Sequence, residues 1–457
     1  MNNHYKKGID RRSFLKIFGG GAAITAAAMS GLDVNATERG GNTSADNTKG
    51  KMTYRKSKSG KDVSILGYGC MRWPNITDNT GKKIIDQETV NKLVDYAIDH
   101  GVNYFDTAPA YGDSEHATGI ALHRHPREKY MIATKLSNFD GGTKEQAIDM
   151  YHHSMKELQV DYFDFMLLHG IGMGGMNSFN KRFIENGVLD FLLEERKAGR
   201  ILNLGFSYHG DIEVFNYLLS QNDKYKWDFV QIQLNYIDWD YANETNKMNT
   251  DASYLYGELT KRNIPAVVME PLLGGRLANM PNHLATQLKQ RRPEDSIASW
   301  AFRFAGSLPN VMTVLSGMTF MENLEDNLKT FSPLQPLTED EKSLLSDMAK
   351  LYVNFPQIPC TACRYCMPCP YGIDIPLVFK HYNKCISENI VPVKDQDENY
   401  RKARHEYLYG ADGSVPKLKT AEQCVACGHC MPHCPQSIKI PNMMQRVLKY
   451  VADLKNS

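Results

Sequence analysis

The sequence lacks a charge imbalance and a long apolar segment. Its 53 lysines and arginines nearly equal its 52 aspartates and glutamates, which leaves a net charge of +1 over 457 residues. With no basic excess and no acidic tail, nucleic-acid binding is not expected. The apolar stretch near the N-terminus, residues 17–29, is shorter than the roughly 20 residues that a membrane-spanning helix needs. No permanent membrane span is therefore predicted.

The N-terminal segment combines a pair of arginines with this weakly apolar stretch. Arg11 and Arg12 are followed by Ser-Phe-Leu-Lys and then by a region rich in glycine and alanine. The pattern is typical of a twin-arginine export signal. We predict a signal peptide over residues 1–36, a polar linker over residues 37–51, and a protein that is periplasmic or otherwise exported by this route.

Cysteine is scarce outside two short bursts near the C-terminus. Only Cys70 and Cys385 lie elsewhere, so a disulfide framework is not expected. The burst cysteines follow a repeated CxxC spacing, and each burst closes with Cys-Pro. They are Cys360, Cys363, Cys366 and Cys369, followed by Cys424, Cys427, Cys430 and Cys434.

This spacing is typical of a protein that holds two 4Fe–4S clusters, in which the cysteine before proline binds the other cluster. The predicted ligand sets are Cys360, Cys363 and Cys366 with Cys434, and Cys424, Cys427 and Cys430 with Cys369. The alternative is tetrahedral zinc, which needs only two CxxC pairs. We predict an α-helical, two-cluster ferredoxin-type domain over residues 355–447.

The middle of the chain lacks a Gly-rich dinucleotide fingerprint after its first predicted strand, which argues against a doubly wound open sheet. It contains instead eight β-branched or aromatic runs, each followed by a helical pattern. The runs begin at residues 64, 103, 130, 162, 201, 229, 266 and 311. Eight strand–helix units predict an α/β fold of the (β/α)8 TIM-barrel type over residues 52–335.

Polar side chains follow three successive predicted strands. Asp106 and Tyr111 follow the second strand, Lys135 ends the third, and His169 ends the fourth. The active site of a TIM barrel lies at the C-terminal ends of its strands. The four side chains are therefore candidates for proton handling.

Over residues 52–335 the sequence resembles the aldo/keto reductase family. The motifs that carry the resemblance are Phe105-Asp106-Thr107-Ala108-x-x-Tyr111-Gly112, Thr134-Lys135, Leu167-Leu168-His169, Gly205-x-Ser207 and the segment 317–327. The resemblance implies carbonyl reduction with a nicotinamide cofactor. Tyr111 would be the proton donor, its pKa lowered by Lys135, which pairs with Asp106. His169 would orient the substrate carbonyl.

The resemblance also implies cofactor contacts. Ser207 and Gln231 would hold the nicotinamide carboxamide, with Gln233 as the alternative to Gln231 at that position. Further cofactor-binding positions are Gly274, Gly275 and Arg276 for the pyrophosphate, and Gly317 and Asn327 for the adenylate end. The aligned positions Gly317 and Asn323 are uncharged, so the 2′-phosphate of NADP would lack a cationic partner. Of the two cofactors in the class NAD(P), we therefore favour NAD over NADP.

Three functional hypotheses follow. The first is an exported oxidoreductase that couples hydride transfer on a small carbonyl or alcohol to electron transfer through the clusters, with a redox protein or quinone as partner. The second is a carbonyl reductase whose clusters are only structural. The third is a non-catalytic electron carrier, which the complete set of Asp106, Tyr111, Lys135 and His169 disfavours.

Overall fold

A computed structural model of the protein describes residues 51–139, 142–246, 248–280, 282–354, 358, 360, 362–387, 401, 405, 415, 419–434 and 438–455. The predicted signal peptide and all of the predicted linker except Lys51 lie outside these residues.

Eight parallel strands form a closed barrel. The strands of the described residues are β1 (Tyr54–Lys56), β2 (Asp62–Ser64), β3 (Leu66–Gly69), β4 (Asn75–Thr77), β5 (Lys83–Ile85), β6 (Tyr104–Asp106), β7 (Met131–Leu136), β8 (Phe163–Ile171), β9 (Ile201–Tyr208), β10 (Phe229–Gln233), β11 (Ala266–Met269) and β12 (Val311–Ser316). The barrel order is β3-β6-β7-β8-β9-β10-β11-β12, and β12 pairs with β3 to close it. The predicted (β/α)8 barrel is confirmed.

Side chains at alternate strand positions fill the barrel interior. The apolar layer consists of Val63, Tyr104, Met131, Ala133, Phe165, Leu167, Phe229, Val267, Met312 and Leu315. Gly205 makes room for this layer, because a Cβ on it would lie 2.3 Å from the carbonyl oxygen of Phe229. The intervening positions of the strands point outward and pack against the helices.

The helices of the described barrel region surround the strands. They are α1 (Gln87–Asp99), α2 (Ser114–Leu122), α3 (Lys144–Leu158), α4 (Gly175–Phe179), α5 (Val188–Lys197), α6 (Ile212–Ser220), α7 (Asn222–Tyr225), α8 (Asp238–Thr245), α9 (Ala252–Lys261), α10 (Asn282–Arg291), α11 (Ile297–Gly306) and α12 (Met321–Phe331). Side-chain caps define several of their starts. Asp86 caps α1, Thr143 and Gln146 form a capping box on α3, and Ser296 caps α11.

Two antiparallel hairpins were not expected from the sequence. One pairs β1 with β2, and its Val63 belongs to the apolar layer inside the barrel. The other pairs β4 with β5 between the first barrel strand and α1. Three-residue strands give too short an alternation to be distinguished from loop sequence.

The C-terminal region has a hydrophobic core of its own. Helix α13 (Glu339–Asn354) leads from the barrel to this region, which contains α14 (Ile375–Ser387) and α15 (Ile440–Lys455). Phe379 and Met444 are fully buried there, and the rings of Tyr382 and Tyr450 meet edge to face at 5.3 Å. Helix α15 continues eight residues beyond the predicted domain end at 447, and α14 contacts α10 of the barrel. Within the described part of the chain, no helix is both long and apolar enough to cross a membrane.

Candidate active site

A layer of polar side chains lies directly above the apolar layer of the barrel. Each polar residue follows an interior apolar residue by two positions: Asp106 follows Tyr104, Lys135 follows Ala133, His169 follows Leu167, Ser207 follows Gly205 and Gln231 follows Phe229. Because side chains alternate along a strand, all five point inward at the carboxyl ends of the strands. The strand register places Gln231 beside Ser207 and Asp106 beside Ala133. Four of the predicted catalytic and cofactor positions are thus brought together with Lys135.

Lys135 and Asp106 form a buried ion pair at the floor of the site. Lys135 Nζ donates to Asp106 Oδ1 at 2.5 Å and to the carbonyl oxygen of Thr107 at 2.9 Å. The two residues are only 2% and 3% exposed. Burial opposes the charged form of Lys135, but the Asp106 carboxylate and Tyr111 raise its pKa above the ordinary lysine value. Lys135 therefore remains a cation at neutral pH.

Tyr111 lies on a short 3-10 turn, Pro109–Tyr111, that follows β6. Lys135 Nζ is 5.0 Å from the centre of its ring. Burial raises the pKa of the Tyr111 phenol, while the charge of Lys135 lowers it and that of Asp106 raises it. We expected a net lowering. The structure shows a net increase because loss of hydration penalises the phenolate more than one ammonium group stabilises it. The phenol therefore keeps its proton at neutral pH.

His169 is held as a neutral imidazole. Its pKa is lowered to about 2 by burial and by the nearby Lys135, His209 and Arg182. Ser137 Oγ lies 2.6 Å from His169 Nδ1. A hydroxyl that donates to Nδ1 leaves the imidazole proton on Nε2, where it can donate to a substrate oxygen. The rings of His169 and Tyr111 meet edge to face with their centres 5.9 Å apart, so the two side chains are neighbours in the site.

Sequence reasoning missed several side chains of this site. His209 is the first residue after β9 and lies two positions after the inward-facing Ser207. Burial and the charge of Lys135 lower its pKa to about 4. The alternation along β9 is the signal that could have found it. The same alternation points to Ser137, which follows the inward Lys135 by two residues, whereas Arg182 carries no such signal because it lies on a helical turn more than ten residues beyond β8.

The side of the site where the nicotinamide contacts were predicted includes an acceptor without a partner among the described residues. Gln231 is 2% exposed, and its Oε1 has no hydrogen-bond partner among the described residues. Gln233 is not equivalent, because its amide donates to Asp238 at 2.6 Å. Ser207 Oγ accepts from the backbone amide of Gly170 at 2.9 Å. Of the two glutamines, Gln231 is the one whose carbonyl oxygen is without a hydrogen-bond partner among the described residues, and its role towards a carboxamide stays a prediction.

The loop after β11 carries the predicted pyrophosphate contacts. Gly274 and Gly275 adopt φ values of +67° and +91°, and nothing lies within 4 Å of a Cβ built on Gly275. The left-handed backbone, not crowding, accounts for these glycines. Arg276 Nε donates to the carbonyl oxygen of Leu273 at 3.1 Å, and its guanidinium is close enough to lower the pKa of Tyr352, which burial raises.

The predicted adenylate contacts follow β12, the last barrel strand. Gly317 is the first residue after the strand, and a Cβ on it would make only ordinary contacts, the nearest at 3.8 Å. Asn327 is 4% exposed and its amide donates to Ser316 Oγ at 2.9 Å. Asn327 therefore fixes the strand end to α12, and this bond uses one of its two amide hydrogens.

Comparison with known proteins identifies the barrel. The model of the aldo/keto reductase family matches residues 65–349, which is more than half of the chain. The chain belongs to the aldo/keto reductase family. It is an oxidoreductase of that family, and its resemblance to the family, first noted on sequence motifs, is confirmed.

Relatives and solved structures agree with this assignment. The chain is 23% identical to L-galactose dehydrogenase of Arabidopsis thaliana over 306 residues, which cover 63% of this chain and 90% of that protein. It is 31% identical to protein tas of Escherichia coli K12 over 196 residues, covering 36% and 54%. The aldo-keto reductase AKR11C1 of Bacillus halodurans superposes with a TM-score of 0.51 at 20% identity, over 65% of this chain and 96% of that one, and supports the fold.

The cysteine bursts of this aldo/keto reductase come together in the C-terminal region. One surface cavity is lined by Cys360, Cys363, Cys366 and Cys434, together with Ile375 and Phe379 of α14. These four are the predicted first ligand set. Among the described residues, no group of three or more histidine, cysteine or acidic side chains is arranged to hold a single metal ion. The thiolates of a four-iron cluster bind different irons, so they need not converge on one point.

The charge neighbours of the thiols bear on the second predicted ligand set, although Cys430 is also a neighbour of Cys366 in the first. Burial raises the pKa of Cys430, and Cys369, Cys424 and Cys427 raise it further. Burial likewise raises the pKa of Cys360, with Cys434 among its neighbours. Cys369 therefore lies near the second burst and Cys434 near the first, which is the exchange of the final cysteines that two clusters need. The residues present fit the predicted cluster ligation.

Proposed function

We propose that this protein is an exported oxidoreductase that interconverts a small carbonyl compound and its alcohol with a nicotinamide cofactor, and that it exchanges electrons with a partner through two 4Fe–4S clusters. The observation that carries the proposal is the arrangement of Tyr111, Lys135 and His169 beside the unpartnered acceptor of Gln231. An acid, a carbonyl-orienting imidazole and a carboxamide-binding group meet there at one end of the barrel.

The chain's own side chains handle the proton. Tyr111 keeps its proton at neutral pH and can donate it from Oη to the substrate oxygen. Lys135 stabilises the phenolate that this transfer leaves behind, and Asp106 holds Lys135 in place. The neutral imidazole of His169 donates a hydrogen bond to the same oxygen, so charge that develops there is stabilised without a second cation.

The nicotinamide supplies the hydride when bound. Gln231 offers its Oε1 to the carboxamide, and Ser207 lies next to it on β9. In the loop after β11, Gly275 has nothing within 4 Å of its Cβ position and leaves room for a phosphate, whereas the N–H of Gly274 already donates to the Glu270 carboxylate. We favour NAD over NADP because Gly317 and Asn323 offer no cation to a 2′-phosphate.

The C-terminal cysteines would hold the clusters. Cys360, Cys363, Cys366 and Cys434 line one cavity, and Cys369 lies near Cys430 of the second set. Helix α14, which lies against that cavity, also contacts α10, the helix that follows the cofactor loop. This contact joins the cysteine-rich region to the barrel, and we propose a redox role for the clusters there.

Export and substrate class rest on the sequence and on the relatives. The twin-arginine route carries folded proteins, so the clusters would be assembled before export. Outside the cytoplasm a nicotinamide has no pool that renews it, which favours a tightly held cofactor and a redox protein or quinone as electron partner. The Arabidopsis relative is named as a sugar dehydrogenase, and we propose a hydroxyaldehyde of the aldose type as substrate.

Anaerobic purification of the exported full-length protein tests the proposal. We expect iron and sulfide near eight of each per chain for two 4Fe–4S clusters, and NAD released on denaturation. Oxidation of the C1 hemiacetal hydroxyl of L-galactose to the lactone, with an artificial electron acceptor that takes up the two electrons, should slow when the clusters are removed. Bound zinc without iron would refute the clusters, turnover that survives cluster loss would leave them structural, and absence of any nucleotide binding would refute the nicotinamide chemistry.

A further inference from the structure

Arg182 is a buried cation behind the active site. It lies on the π-helical turn Asn180–Ile184 and is only 2% exposed. Its Nε donates to the carbonyl oxygen of Asn138 at 3.2 Å and its Nη1 to that of Gly170 at 3.3 Å, while Nη2 donates to the carbonyl oxygen of His169. A π-turn is rare in proteins and is often found at functional sites.

No carboxylate among the described residues forms an ion pair with Arg182. The guanidinium carbon lies instead 4.9 Å from the ring of Phe139 and 4.8 Å from the ring of Phe183. Asn138 returns a hydrogen bond from its Nδ2 to the carbonyl oxygen of Arg182 at 2.7 Å. The described donor bonds of Arg182 are therefore made to backbone that follows β7 and to the end of β8.

We propose that Arg182 is a positioning residue for carbonyl reduction: it ties the segment after β7 to the end of β8 and so fixes His169 relative to Tyr111. The two segments carry the two supports of the imidazole. Ser137, which contacts His169 Nδ1, follows β7, and His169 itself lies two residues before the end of β8. Relaxing the link between these two segments lets the His169 imidazole shift relative to Tyr111. A displacement of about 1 Å at the reacting atoms can cost roughly 100-fold in rate. This inference rests on the proposed role of His169.

Arg127 links the starts of the same two strands, β7 and β8, and serves as a structural arginine for comparison. Arg127 donates to the carbonyl oxygens of Tyr130 at 2.9 Å and Tyr162 at 3.3 Å, and its guanidinium lies over both tyrosine rings. Those residues directly precede β7 and β8, at the end of the barrel opposite the site. Arg127 also pairs with Asp164, so replacing it should cost at least as much stability as replacing Arg182.

The experiment compares Arg182→Lys with Arg127→Lys in the full-length protein. Both variants are expected to unfold at lower urea concentration. Only Arg182→Lys should lower kcat, by about 10- to 100-fold, with a much smaller change in KM. In protein labelled with ¹³Cε1-histidine and free of substrate, only Arg182→Lys should shift the His169 resonance, which is assigned by its loss in His169→Gln. Arg182→Gln replaces the lysine variant if that variant does not fold.

A double-mutant cycle separates this inference from the function on which it rests. If Arg182 acts through His169, Arg182→Lys should lower kcat little further in the His169→Gln background. Multiplicative losses, or equal effects of Arg182→Lys and Arg127→Lys on kcat and on the His169 resonance, overturn the inference. An unchanged kcat in His169→Gln alone overturns the proposed role of His169 as well.

Discussion

Replacing Lys135 with methionine should damage both stability and activity, because it leaves the Asp106 carboxylate buried without a cation. Asp106 is 3% exposed and Lys135 Nζ is its 2.5 Å partner. Removing one member of a buried ion pair costs about 3–5 kcal/mol, a large part of the roughly 5–15 kcal/mol that stabilises a typical domain. Loss of the charge that lowers the Tyr111 pKa should reduce kcat by about 10²- to 10⁴-fold.

The size of the stability loss should depend on pH. Without Lys135, burial raises the pKa of Asp106 further above its unfolded value of about 4. A carboxyl whose pKa is raised in the folded state is destabilising once the unfolded state ionises. The penalty is therefore absent at pH values below about 4 and grows as the pH rises towards the folded pKa.

Urea unfolding from pH 4 to 8, followed by fluorescence, measures this dependence. The double variant Lys135→Met/Asp106→Asn should recover much of the stability and none of the activity, because no charge remains buried. Arg303→Met is a control outside the site: Arg303 is 3% exposed and pairs with Glu341 at 2.8 Å, and Glu341 keeps Arg292 as a second partner. It should lower stability without changing kcat. A Lys135→Met protein that is as stable as the wild type at pH 8 would refute the reasoning.

Three further predictions concern the nicotinamide side, the imidazole and the clusters. In calorimetry, Gln231→Leu should weaken binding of nicotinamide mononucleotide by about 10-fold, because one hydrogen bond is lost, and should leave AMP binding unchanged. Gln233→Leu should not weaken binding of one of these two ligands more than binding of the other. The pKa of His169 is about 2 in the folded state and about 6.5 in the unfolded state, so its contribution to the free energy of unfolding is full above pH 6.5 and declines as the pH falls below that value. In urea titrations, His169→Gln should remove this part of the decline. Cys434→Ser should lower the iron content and alter the electron paramagnetic resonance spectrum of the reduced protein, while Cys385→Ser, a buried helix position outside the predicted ligand sets, should retain full iron.

The barrel was predictable because its signal is local and repeated. Eight short β-branched runs separated by helical patterns leave few other folds, and each inward polar residue follows an interior apolar one by two positions. Asp106, Lys135 and His169 could therefore be placed at the strand ends by counting along each strand. The hairpins β1–β2 and β4–β5 were missed since strands of three residues carry too little alternation.

The sequence by itself determined the strand–helix repeat, the polar residues at the strand ends and the spacing of the cysteines, because each is a pattern within a short stretch of chain. Only the tertiary structure decided that Gln233 is bonded to Asp238, that Arg182 lies behind His169, and that burial outweighs Lys135 in setting the pKa of Tyr111. These depend on which side chains approach from distant strands and on how much water they exclude. Neither quantity is encoded in any single segment of the sequence.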